Sequence, residues 1–251
     1  MSDTTHDAAH HEGGEHEHPA YLQHHFDTPL QQFDAAKLGM WAFLAQELLF
    51  FSGLFVAYGI FRSWYPEVFS AASHQLNRIM GAANTIVLLF SSFTAAMAVR
   101  SAQMARPGNA EDKRKTSIFL LLTIVCAFTF LIVKYFEYEH KFHLGLLPGK
   151  WFGTPRDMLS FDPIAAGAHG AHALPQLPQK AHLFYSIYFV MTAIHGIHVL
   201  VGIGVFIWLW LRNERGEFSK EYFTAIDLAA LYWHLVDLIW IYLFPLLYLI
   251  D

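Results

Sequence analysis

Five runs of apolar residues, each long enough to cross a bilayer as a helix, govern what this chain can fold into. They are Leu38–Phe61, Ala82–Met104, Ser117–Tyr138, Ala181–Leu211 and Ala225–Ile250. A hydrocarbon core about 30 Å thick takes roughly 20 helical residues. Inside it every backbone polar group must be satisfied by the protein, so only helices and closed barrels span. Barrel strands are about ten residues long with period-two alternation, and that pattern is absent here. The fold class is therefore read as all-α: a polytopic membrane helix bundle of five transmembrane helices. Only 15% of the residues are charged, against roughly 25% in a soluble domain, which agrees with that reading. The fourth run exceeds a perpendicular crossing and predicts tilt or projection beyond the bilayer.

Two further regions frame the bundle. Residues 1–36 form a polar N-terminal extension with seven histidines (His6, His10, His11, His16, His18, His24 and His25). This composition cannot bury enough apolar surface to fold alone, so its first 20 or so residues are expected to be disordered. Metal capture or a pH-responsive tail is the functional alternative to a solvated leader. The extension has no Lys, Arg or apolar core, so no cleavable signal peptide is expected. Residues 37–251 hold the five spans, with an extramembrane loop at about 139–180. Pro and Gly punctuate the Glu139–Lys180 connection, which predicts an irregular loop.

Basic residues are densest in two short connections: Arg100, Arg106, Lys113, Arg114 and Lys115, then Arg212, Arg215 and Lys220. The positive-inside rule places both in the cytoplasm, with the N-terminus, and puts the C-terminus on the opposite side. No basic patch interleaved with aromatics is present, which argues against nucleic acid as a partner. The single cysteine, Cys126, falls inside the third run and reads as a small buried apolar residue.

Glu47 stands in the middle of the first run, and between Leu38 and Tyr58 it is the only carboxylic acid. A charge at mid-membrane depth costs roughly 2.5–3.5 kcal/mol on insertion scales. Such an acid is kept neutral, paired or hydrated, and it marks either a proton route or a structural pin. Other polar residues recur in the spans: Asn84 in the second, Glu137 at the end of the third, His195 and His198 in the fourth, His234 and Asp237 in the fifth. Residues three apart share a helical face, so His195 with His198, and His234 with Asp237, each point one way. These spacings admit a metal site. Glu137-x-x-His140 is one copy of the motif that helical di-iron bundles use twice, and paired histidines suit copper or haem iron. More ordinarily they admit interhelical hydrogen bonding, including a polar knot of His198, His234 and Asp237. No nucleophile elbow, phosphate loop or Cys-x-x-Cys pair occurs, so no catalytic residue is assigned.

Taken together, these residues resemble subunit III of the haem-copper respiratory oxidases, most closely the bacterial five-helix form found in cytochrome c oxidases. The resemblance begins at His24-His25-Phe26-Asp27-Thr28-Pro29 and runs through Lys37-Leu38-Gly39-Met40-Trp41 and Gln46-Glu47-Leu48-Leu49-Phe50-Phe51-Ser52-Gly53. It continues at Asn84-Thr85-Ile86-Val87-Leu88-Leu89, Phe136-Glu137-Tyr138 and Tyr188 to Val199, and closes with Trp233-His234-Leu235-Val236-Asp237-Leu238-Ile239-Trp240.

The resemblance implies a non-redox subunit of a proton-pumping terminal oxidase in a bacterial plasma membrane, carrying electrons from cytochrome c to dioxygen in aerobic respiration. Haem and copper are then expected in partner subunits and no metal in this chain. Subunit I is the direct partner, with subunit II and further subunits in the complex. Phospholipids are expected in a cleft between the helices, and proton uptake into subunit I is supported. Glu47 matches the family's membrane-embedded, carbodiimide-reactive glutamate, expected to be a mostly protonated acid with a possible proton-uptake role. Asn84, Glu137, His195, His198, His234 and Asp237 are then interhelical polar positions. The chain lacks the first two helices of seven-helix members. Two rivals remain at this stage: subunit III of a quinol oxidase, and an autonomous membrane metalloenzyme.

Overall fold

The computed structural model describes residues 22–147, 178 and 180–250. The expected disordered start of the N-terminal extension and the body of the Glu139–Lys180 loop lie outside the described residues. Six helices follow in order: α1 (Pro29–Trp64), α2 (Pro66–Ser73), α3 (Arg78–Gln103), α4 (Ala110–His143), α5 (Ala181–Glu214) and α6 (Thr224–Tyr248). All but α2 are long and apolar enough to cross a membrane. Among the described residues there is no β-strand, only an isolated bridge between Ser219 and Tyr222.

Local chemistry sets the helix ends, and most reach past the apolar runs. At the start of α1 the Thr28 hydroxyl accepts from the Gln31 amide at 3.2 Å, with Pro29 in the first turn. A capping hydroxyl followed by proline is a strong start signal, so the helix opens in polar sequence ahead of Leu38. Asn77 caps α3 by accepting from the Ile79 and Met80 amides, both at 3.1 Å. Asn109 caps α4 through the Glu111 amide at 2.9 Å. Helix α4 has Glu111 and Asp112 in its first turn and His140, Lys141 and His143 in its last, each sign opposing the local end of the helix dipole. It therefore continues past Tyr138 to His143, where the chain turns through Gly145 at φ 70°, a left-handed conformation that glycine adopts without steric cost.

Helices α3, α4, α5 and α6 form the tight part of the bundle. On α3 the face turned inward carries Gly81, Asn84, Leu88, Ser91, Ala95, Ala98 and Ala102. Small residues at three- and four-residue spacing let helix backbones approach closely, the usual interface of membrane helices. Into that space α6 places Trp233 and Trp240, both fully buried, and Phe130 of α4 meets the Trp240 ring edge-on at 4.8 Å between centroids. The outward faces are apolar and open: Ile86, Leu89, Phe90 and Phe93 on α3, Val125, Phe128 and Ile132 on α4. Apolar surface this continuous marks a lipid- or protein-facing belt, and the chain is a multi-pass membrane protein.

Helix α1 is attached differently. Its buried residues are Leu44, Phe51 and Tyr58 alone, a heptad spacing that makes one narrow seam. Tyr58 fastens the far end by donating its hydroxyl to the Leu246 carbonyl of α6. Short α2 fills the corner beside it, where Phe69 packs edge-on against Tyr58 and Phe184.

Candidate functional site

Glu47 falls three residues after Leu44 and four before Phe51, so it lies in the seam by which α1 meets the bundle. Its side chain is 14% exposed. Oε2 stands 3.0 Å from His198 Nε2 in the middle of α5. The other ring nitrogen of His198, Nδ1, is 2.8 Å from the Ile194 carbonyl. A carbonyl oxygen only accepts, so Nδ1 carries a hydrogen. The bond to Glu47 then needs one further proton, placed on the carboxyl or on Nε2. In both arrangements the pair is neutral overall, which removes most of the cost of an isolated charge at this depth. Phe51 meets the imidazole edge-on at 5.2 Å, and the Tyr232 hydroxyl donates to the His198 backbone carbonyl at 2.9 Å.

Below this pair α1 stands away from α5 and α6 and leaves a cleft of about 430 Å3. Phe43 of α1, Val201 and Val205 of α5 and Leu228 and Tyr232 of α6 are among its walls, which are almost wholly apolar. Phe43 lies one helical turn from Glu47, and Val201 one turn from His198. At the other end Lys37 of α1 pairs with Asp227 of α6 at 3.2 Å. From residue 37 to residue 47 a helix rises about 15 Å, half of a hydrocarbon core about 30 Å thick. The Glu47–His198 and Lys37–Asp227 contacts are therefore about one leaflet apart along α1, and the cleft's apolar walls lie between them.

A second polar centre lies at the far end of α4. Glu137 Oε2 accepts from Lys134 Nζ at 2.8 Å, and Oε1 accepts from Lys141 Nζ at 2.8 Å, Tyr188 Oη at 2.9 Å and Tyr248 Oη at 2.6 Å. Lys134 Nζ also reaches both phenol oxygens at 3.0 Å, which uses all three of its donors. All three charged residues are buried. One carboxylate thus joins α4 to α5 and α6 and is flanked by two ammonium groups.

The remaining polar positions separate. His234 Nδ1 meets the Ser92 hydroxyl of α3 at 2.6 Å, while Asp237 is buried with its Oδ1 lacking a hydrogen-bond partner among the described residues. His198, turned towards α1, takes no part in that contact. His195 is fully buried between the rings of Phe130 and Trp240, at 5.5 and 5.2 Å between centroids. Neither its ring nitrogens nor the side-chain amide of Asn84 has a hydrogen-bond partner among the described residues. Nor do three or more His, Cys, Asp or Glu side chains converge there as a metal site would require.

Lys134 and Lys141 belong to the polar end of the third run but carried no assigned role, although their places three before and four after Glu137 are the spacing of helical ion pairs. Ser92 stood out as one of the polar residues of the second run, but nothing in residue order paired it with His234.

The model of the family described as cytochrome c oxidase subunit III matches residues 179–251. Cytochrome c oxidase subunit 3 of Synechocystis sp. is 28% identical over 228 residues, covering 90% of this chain and 78% of the relative. The protein of the same name from Corynebacterium diphtheriae is 29% identical over 228 residues, covering 88% of this chain and 91% of the relative. That of Thermostichus vulcanus is 27% identical over 223 residues, covering 87% and 89%. Matched by the family model over its last stretch and by these proteins along 87–90% of its length, the chain is similar to cytochrome c oxidase subunit 3, the haem-copper oxidase subunit that its motifs resemble.

Proposed function

We propose that this chain is a non-redox subunit III of a proton-pumping haem-copper oxidase that passes electrons from cytochrome c to dioxygen. The observation that carries this reading is the similarity to proteins named cytochrome c oxidase subunit 3 along nearly the whole chain. The names of those proteins also favour cytochrome c over quinol as the donor. The chain itself performs no redox step; haem and copper belong to partner subunits, subunit I in direct contact and subunit II beside it. The complex lies in a bacterial plasma membrane, with the N-terminus and the basic α3–α4 and α5–α6 connections cytoplasmic.

The role assigned to this chain is to hold phospholipid and to support proton uptake by subunit I. The cleft between α1 and α5–α6 supports the first part: its apolar walls, set between polar contacts about one leaflet apart, suit an acyl chain. Glu47 and His198 support the second, because the bond between them requires a shared proton at mid-membrane depth.

Affinity purification of the tagged chain from its own bacterium tests the assignment. A complex with haem absorbance that oxidises reduced cytochrome c is expected. A complex that oxidises only quinol would transfer the reading to a quinol oxidase. Stoichiometric iron or copper in the purified chain alone would overturn the non-redox role.

A further inference from the structure

At the turn between α3 and α4 three cations border a groove of about 350 Å3: Arg100, Arg106 and Lys115. The volume falls within the range of small-molecule sites, about 300–1,000 Å3. Its apolar lining is Met97, Met104 and Phe119. Met97 lies one helical turn before Arg100, and Phe119 one turn after Lys115, so the apolar wall continues from the charged rim into the membrane. Asp112 is the acid of the groove. It accepts from the Arg106 backbone amide at 3.2 Å and from Nε at 3.1 Å, and stands 4.0 Å from Lys115. Arg100 has no carboxylate within ion-pair distance among the described residues. Three cations against one acid leave the groove at +2 (3 − 1 = 2). It shares no lining residue with the cleft beside α1.

A positive rim over an apolar wall at a membrane surface is complementary to one kind of molecule, a phospholipid with net negative charge. The phosphate meets guanidinium and ammonium groups, and the first methylenes lie on methionine and phenylalanine. Basic pockets between membrane helices recognise anionic headgroups in this way, and planar guanidinium binds phosphate oxygens in pairs. We propose that the α3–α4 turn is a headgroup site for an anionic phospholipid, with Arg100 and Lys115 holding the phosphate and Arg106, oriented by Asp112, closing the rim. This site stands on the groove alone and does not depend on the oxidase assignment.

The test is native mass spectrometry of the full chain released from micelles containing phosphatidylglycerol or phosphatidylcholine with identical acyl chains. The unaltered chain should retain phosphatidylglycerol preferentially. The double variant Arg100→Gln/Lys115→Gln should lose roughly tenfold in apparent affinity for it, as expected for removing two cations beside an anionic headgroup, with phosphatidylcholine unchanged. The charge-preserving Arg100→Lys/Lys115→Arg should restore most of the binding. Arg215→Gln, which removes an exposed cation in the α5–α6 turn, should leave it intact. Equal loss of both lipids, no loss, or the same loss in Arg215→Gln would overturn the site. Displacement of phosphatidylglycerol by millimolar inorganic phosphate would overturn the lipid assignment by showing that the groove reads free phosphate. Should the double variant fail to fold, Arg100→Gln alone is measured, with a threefold loss expected and no loss counting against the proposal.

Discussion

His198 on α5 and Glu47 on α1 are joined by a single proton at mid-membrane depth, Nε2 to Oε2 at 3.0 Å, because Nδ1 is already committed to the Ile194 carbonyl. This one bond does two things. It neutralises the acid that the first span would otherwise carry alone, and it fastens a helix that touches the bundle through a narrow seam. Structural pin and proton-bearing site are therefore the same contact, and separating them needs a substitution that keeps one property and removes the other.

Glu47→Gln does that. Its amide still donates to Nε2, so α1 should stay seated and assembly with partner subunits should match the unaltered protein. The shared proton is lost. If the pair supports proton uptake, oxygen consumption by the complex should slow severalfold, most at alkaline pH where protons are scarcest. Glu47→Leu removes both properties and should also loosen α1, seen as a lower melting temperature in detergent. Turnover of Glu47→Gln equal to the unaltered complex across the pH range would leave the contact a structural role only.

Close packing at Trp233 makes a second, independent prediction. A Cβ built on Gly202 of α5 would stand 2.5 Å from Trp233 Cζ3 and 2.7 Å from Cε3. The indole has little freedom to move: it is fully buried, and Nε1 donates to the Ser91 hydroxyl at 2.8 Å. Gly202→Ala should destabilise the fold by about 1–3 kcal/mol, the ordinary range for overpacking. Gly204→Ala, with no atom within 4 Å of its Cβ, should be neutral or slightly stabilising through helix propensity. Thermal denaturation of the two variants side by side checks the contrast.

The bond between Ser92 and His234 ties α3 to α6, and its worth is set by membrane conditions. Interhelical hydrogen bonds in bilayers average about 0.6 kcal/mol, with a maximum near 1.7. A double-mutant cycle with Ser92→Ala and His234→Leu should return a coupling inside that range. Subunit retention through detergent purification should fall in His234→Leu. A coupling of zero would show that the 2.6 Å contact contributes nothing to stability.

These contacts also mark where the sequence was legible. Hydropathy located every long helix, because lipid-facing residues leave apolar runs that no loop imitates. It missed the first turns of α1, where Gln31, Gln32 and Asp34 carry no apolar signal and only the Thr28–Pro29 cap announces a helix. It missed α2 for lack of length. Polar positions stood out against apolar surroundings, and three-residue spacing said which of them share a face. Spacing along one helix says nothing about how neighbouring helices are rotated. Hence the turn of His198 towards α1 and of His234 towards Ser92 could not be read from residue order. Lys134 and Lys141 were open to the same i,i+3 and i,i+4 reasoning but looked like ordinary charges at the end of a span.

The Glu137 cluster yields the most severe test, because its charges do not balance. Lys134 lies 17 residues beyond Ser117, about 25 Å along the helix, so the cluster sits near the edge of the hydrocarbon core, where two ammonium groups share one buried carboxylate. Removing one partner of a buried ion pair costs about 3–5 kcal/mol, since the other is left uncompensated. Glu137→Gln strands two cations together and should fall in that range, with lower melting temperature and reduced assembly. Lys134→Met instead leaves Glu137 paired with Lys141, and Tyr188 and Tyr248 still donating to the carboxylate. It should cost less than Glu137→Gln although it removes three hydrogen bonds. The double variant should cost less than the two losses added, as coupled neighbours do, because the second substitution removes a charge that the first had stranded. Lys134→Met proving the more damaging change would mean that its bonds to the tyrosines, and not charge balance, hold α4 against α5 and α6.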